Sequence, residues 1–191
     1  LKYVISHRVI RMLILNLGVT ALLSLGVVTL IPAWSVNILG GDARTNGLLL
    51  SARGLGSLMS ALLIASQGRF NFRGKLLTLG NLGLPVMMLL FAFMRWLPLS
   101  LLAMVLIGLG FMLAINTTNA LVQTQVEDAL RGRVMGVYTM IFFGAMPLGS
   151  LLAGALASRL GEPLTVVISA SALFVFAFLV WLTFPVIRKL E

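Results

Sequence analysis

Residues 116–154 read NTTNALVQTQVEDALRGRVMGVYTMIFFGAMPLGSLLAG. The stretch ends one apolar run in amides and hydroxyls, crosses a short charged connection, and enters a second apolar run rich in small residues. Asn116, Asn119 and Gln123 fall at i, i+3 and i+7, on one helix face. Lipid does not solvate carboxamides, so this face either lines an aqueous cavity or joins a hydrogen-bond network between helices. The connection VEDALRGRV carries Glu127, Asp128, Arg131 and Arg133, with Asp128 spaced to pair with Arg131. Beyond it, Ala145, Gly149 and Ala153 recur every fourth residue. Small side chains at that spacing let a second backbone approach closely. Pro147 removes one backbone hydrogen bond and invites a kink.

The rest of the chain repeats this pattern. Of 191 residues 60% are hydrophobic and 10% charged, with a mean hydropathy of +1.08. A soluble domain carries about 25% charged residues and would have no surface to offer at this composition. Residues 76–94, 99–126 and 163–187 contain no Asp, Glu, Lys or Arg. Each run is long enough for a helix to cross the hydrocarbon layer, which takes about 20 residues. A membrane barrel would show short alternating segments instead. The sequence predicts an all-α integral membrane fold with six spans, near 10–34, 46–66, 76–94, 99–124, 134–157 and 164–186. Pro32 is expected to close the first span, with Trp34 as an aromatic anchor at the interface.

Two more spans carry candidate residues. Asn16, Thr20 and Ser24 are four apart on the first span. They either bond to helix neighbours or line an aqueous cavity. The second span carries Arg53 well inside the apolar run, beside a small-residue row of Ala52, Gly56 and Ser60. Arg53 either snorkels to the interface or serves a function, by meeting an anion or pairing with another helix.

The net charge of +9 is spread over alternate loops and not gathered on one face, which argues against a nucleic-acid surface. Ten basic residues fall on one side of the membrane: in the N-terminal segment, in 67–75, in 125–133 and after 187. Three, Arg44, Arg95 and Arg159, fall on the other. That imbalance places both ends of the segment in the cytoplasm, in the plasma or inner membrane. The chain has no cysteine and no GxxxxGK[ST] phosphate loop, and its five acids all lie in loops or at the end. No enzyme activity, metal or cofactor is expected. The chain opens on Leu1, before a first apolar run too long for a signal peptide, so a missing N-terminal part is the simplest expectation.

Six spans divide as three plus three. The second and fifth then correspond through their small-residue rows, and the first and fourth through their polar faces. Repeated helix bundles around a midplane site are a transporter architecture. The alternative is a self-contained six-helix scaffold or pore subunit that dimerises through the small-residue rows of the second and fifth spans.

The run from Gln123 to Tyr138, with Asp128, Leu130-Arg131-Gly132-Arg133 and Gly136, followed by Pro147-Leu148-Gly149 and Ala153-Gly154, resembles the C-terminal half of a major facilitator superfamily transporter. Gly47 to Gly56 resembles the same branch, that of the enterobactin exporter and the macrolide-efflux permeases. The resemblance covers essentially the whole chain. It implies helices seven to twelve of a twelve-helix efflux protein, working by alternating access on a small amphipathic molecule of drug or siderophore type. It further implies a cavity lined by the first and fourth spans, and small-residue rows on the second and fifth that pack against an N-terminal six-helix half. Arg73-Gly74-Lys75 matches part of the family's basic loop motif, but the acid that should precede it is absent. A proton-carrying carboxylate, if the transporter uses one, is expected in the N-terminal half.

Overall fold

The computed structural model describes residues 2–66 and 73–184. It is all helix: α1 (Lys2–Ser6), α2 (Arg8–Val28), α3 (Ile31–Asn37), α4 (Ala43–Ser66), α5 (Arg73–Phe93), α6 (Leu97–Gln125), α7 (Asp128–Leu160) and α8 (Glu162–Thr183). Six units among the described residues are long and apolar enough to cross a membrane, α2 and α3 together making the first. Of the expected basic loop at 67–75, residues 67–72 lie outside the described residues and 73–75 open α5, and the basic cluster after 187 also lies outside the described residues.

Most boundaries shift by up to three residues, and two differences from the sequence reading matter more. The first span does not stop at Pro32. Proline has no N–H to give Val28 and its ring crowds that carbonyl, so the helix breaks at Thr29-Leu30 and restarts with Pro32 in the first turn of α3. The Thr29 hydroxyl donates to the Gly26 carbonyl at 2.7 Å and occupies one acceptor that the break frees. Trp34 is consequently not an interfacial anchor. It is fully buried and stacked on Phe91, ring centroids 4.6 Å apart. The charged connection is also shorter than expected, because α7 starts at Asp128 and takes Arg131 and Arg133 into its first turns. An acid in the first turn meets the positive end of the helix dipole, and Asp128 pairs with Arg131 as its spacing suggests.

The helices pack as a pseudo-repeat. α4 lies along α6 as α7 lies along α2, and α5 packs on α6 as α8 packs on α2. The pairs α5–α8 and α2–α6 map onto themselves when the two triplets are exchanged. The glycines repeat the symmetry in detail. A Cβ on Gly26 would overlap the Gly149 carbonyl, and one on Gly149 the Leu22 carbonyl. At the other crossing, a Cβ on Gly108 would overlap the Arg53 carbonyl, and one on Gly56 the Val105 carbonyl.

This corrects the partner expected for the small-residue rows. Ala52, Gly56 and Ser60 are the buried residues of α4 together with Leu49, and Gly56 sits on α6. Ala145, Gly149 and Ala153 are buried on α7, where Gly149 and Ala153 sit on α2. Both rows are used inside the bundle, so neither is free for an N-terminal half or for a dimer. Pro147 is exposed on the opposite side of α7 and packs against neither row. The outward faces of α4 and α7 are apolar and uncovered, with Leu55, Leu58, Leu62, Met140, Phe143 and Leu151 all exposed.

Candidate functional site

The two polar faces behave differently. Asn16, Thr20 and Ser24 are all buried within the bundle. Asn16 Nδ2 donates to Asn81 Oδ1 at 3.3 Å, and Asn81 Nδ2 donates to Asn16 Oδ1 at 3.0 Å. The α2 row therefore faces neighbouring helices, and of its two readings the helix-to-helix one holds for Asn16. In the sequence Asn81 stands out, with Thr78, as a polar residue in an otherwise plain third span, but nothing there names its partner. A carboxamide in an apolar span must find one.

On α6 the face is wetter. Asn116 and Asn119 are half-buried and Gln123 is exposed, with Gln123 Nε2 donating to Asn119 Oδ1 at 2.6 Å. Tyr138 of α7 donates its hydroxyl to the Ile115 carbonyl at 3.2 Å and ties the start of α7 back to α6. Asp128 and Arg131 form an exposed i, i+3 pair, and Arg133 is exposed on the same turn of helix. An exposed pair of this kind is worth about 0–1 kcal/mol.

Arg53 is half-buried against α6. It sits ten residues into α4, about 15 Å along the axis, with its guanidinium carbon 5.2 Å from the centroid of the Phe111 ring. Its Nε is buried and has no hydrogen-bond partner. It shares a small cavity with Ser24 of α2, between α2, α4, α5 and α6.

A larger concavity lies elsewhere. A groove of about 700 Å³ runs between α2 and α7, floored by Gly18 and Gly144 and walled by Ile14, Leu22, Ile141 and Leu148. Arg11 stands at one end, its guanidinium donating to the Ile5 carbonyl at 3.1 Å. Nothing fills the space a Cβ on Gly144 would enter, so the missing side chain is what keeps that part of the groove open. A volume of this size suits a drug-sized molecule. None of the carboxamides expected to line a cavity borders it. The sequence signal for the groove was Ile14, Gly18 and Leu22 at spacing four on α2, which reads as ordinary apolar packing.

The groove and the six-span repeat come with a family match over residues 1–190, to the transmembrane secretion effectors, MFS_3. The chain belongs to that family. It is a family of major facilitator transporters and not of enzymes, and this member is a multi-pass membrane protein. It is 31% identical over 195 aligned residues to the multidrug efflux pump Tap of Mycobacterium tuberculosis strain ATCC 25618 / H37Rv, covering 100% of this chain and 45% of the pump. To Tap of Mycolicibacterium fortuitum it is 35% identical over 115 residues, 60% of this chain and 28% of that one. The chain thus spans less than half the length of these relatives. In three dimensions it matches a crystal structure of a mutant peptide transporter POT in complex with alafosfalin. The TM-score is 0.74 at 17% identity, over 92% of this chain and 38% of the transporter, a likeness of fold alone.

Proposed function

We propose that this family member is the C-terminal six-helix half of a twelve-helix efflux transporter that exports amphipathic small molecules by alternating access. The observation that carries the reading is the α2–α7 groove. It is apolar along its length and open on one side, with a single cation at its end. Such a site rewards apolar area and asks for little hydrogen-bond geometry, which is the chemistry of broad substrate choice. The identity with a multidrug efflux pump points the same way. The drug or siderophore class, the direction of export and the cytoplasmic placement of both ends belong to this proposal.

The test is transport by cells carrying the full-length gene, against Gly144→Trp. A Cβ at position 144 has nothing within 4 Å, so a large side chain there starts into open groove. Export of an amphipathic dye should fall more than tenfold while the protein stays in the membrane. Unchanged export would remove the groove from the path.

A further inference from the structure

We propose that Arg53 and Ser24 form a small-anion site inside the bundle, with the size and chemistry for one chloride ion. The argument starts from charge. A guanidinium does not lose its proton in a protein, so Arg53 puts a fixed positive charge in the middle of α4. A charge at that depth is costly unless it is paired. No described acid is placed to pair with it: Asp42, Glu127, Asp128 and Glu162 all lie in loops or at helix ends. Phe111 faces the guanidinium carbon and stabilises it through the ring, but leaves the charge unneutralised.

Hydrogen bonding leads to the same place. Arg53 Nε and Ser24 Oγ are both buried and both lack a partner. They come from different helices and line one cavity whose other walls are apolar, among them Val27, Ile31, Met104 and Ile107. Its free volume of about 10 Å³ is on the order of a single-atom guest. Arg53 can only donate, and Ser24 can donate. Two unpartnered buried donors on one cavity, one of them charged, call for an acceptor carrying negative charge. A water would satisfy both groups and leave the charge unbalanced, whereas a halide satisfies both and neutralises it. The site would link α2 to α4 through the ion, where the fold provides no direct hydrogen bond between Ser24 and Arg53.

This inference is independent of what the transporter carries and in which direction. It is tested on the purified full-length protein by measuring its unfolding midpoint in sodium chloride and in sodium gluconate at equal ionic strength. The expected result is a saturable rise with chloride. Ser24→Ala removes one donor and should shift that dependence about tenfold to higher chloride. Arg53→Met should abolish it. Crystals grown in bromide should show one anomalous peak between Ser24 Oγ and Arg53 Nε, a readout that survives even if Arg53→Met fails to fold. Equal midpoints in the two salts, an unshifted Ser24→Ala curve, or density without anomalous signal, meaning a water, would each overturn the proposal.

Discussion

Asn16 and Asn81 exchange two side-chain hydrogen bonds across 65 residues of sequence, fastening α2 to α5 inside the bundle. Each amide satisfies the other, so the pair behaves as one unit. Replacing one member with Leu strands the other, at about 1–3 kcal/mol. Asn16→Leu and Asn81→Leu should each lower stability in detergent unfolding by that amount. The double variant should recover much of the loss, because it leaves no orphan. Additive losses would show that the two amides act separately.

The glycine crossings give a second prediction. Gly149→Ala and Gly56→Ala put a methyl group into a neighbouring carbonyl and force the helices apart. Overpacking of this kind costs about 1–3 kcal/mol. Gly154→Ala, five residues along α7 from Gly149 and open to its surroundings, should be neutral or stabilising by about 0.5–1 kcal/mol. Thermal unfolding of the three variants side by side decides it. If Gly154→Ala is as harmful as Gly149→Ala, the crossing is not where the contact lies.

The groove wall offers a test of substrate range. Ile141 is the side chain that a Cβ on Gly18 would meet, at 3.0 Å, and so it narrows the groove at that level. Ile141→Ala should widen it and raise the export of bulky dyes relative to slender ones by about 3–10-fold, the scale set by a few methylene contacts. A uniform change across substrates would count against Ile141 as a selectivity residue.

Asp42 supplies the pH dependence. Its carboxylate accepts from the Thr45 backbone amide at 3.0 Å and caps the start of α4. That bond favours the ionised form and holds the carboxyl below its usual range. A folded-state pKa below the unfolded one means the cap contributes fully at pH above the unfolded value, and its contribution fades as pH falls through the folded value. Stability should therefore be flat in this respect near neutrality and decline in acid. Asp42→Asn, which still caps, should flatten the acid limb, while Asp42→Ala should weaken α4 at every pH. Identical acid limbs in wild type and Asp42→Asn would discard this role.

The sequence made the spans legible because hydropathy over about 20 residues is a strong signal, and all six helices fall where the apolar runs do. Boundaries were harder. The start of α7 was hidden because a charged stretch reads as a loop, and its helicity depends on Asp128 meeting both the helix dipole and Arg131. Side chains at the candidate sites were legible as types but not as directions. A helix inside a bundle has neighbours on several sides, so periodicity shows that Asn16, Thr20 and Ser24 share a face without showing what it meets. The small-residue rows likewise announced a close approach, and only the three-dimensional packing shows that α2 and α6 make it. Arg53 was visible as a charge in the wrong place. Its relation to Ser24, on another helix, has no sequence signature at all.

The two glycine crossings also have a mechanical meaning. Where backbone rests directly on backbone, sliding one helix along the other drives a carbonyl into the next side chain, as Leu22 and Val105 stand ready to do at Gly149 and Gly56. Tilting about the point of contact meets no such obstacle. Each crossing is thus a fulcrum, stiffer to shear than to rotation, and the pseudo-repeat supplies two of them. Two such contacts fix the axial register of α7 on α2 and of α4 on α6 more firmly than their crossing angles.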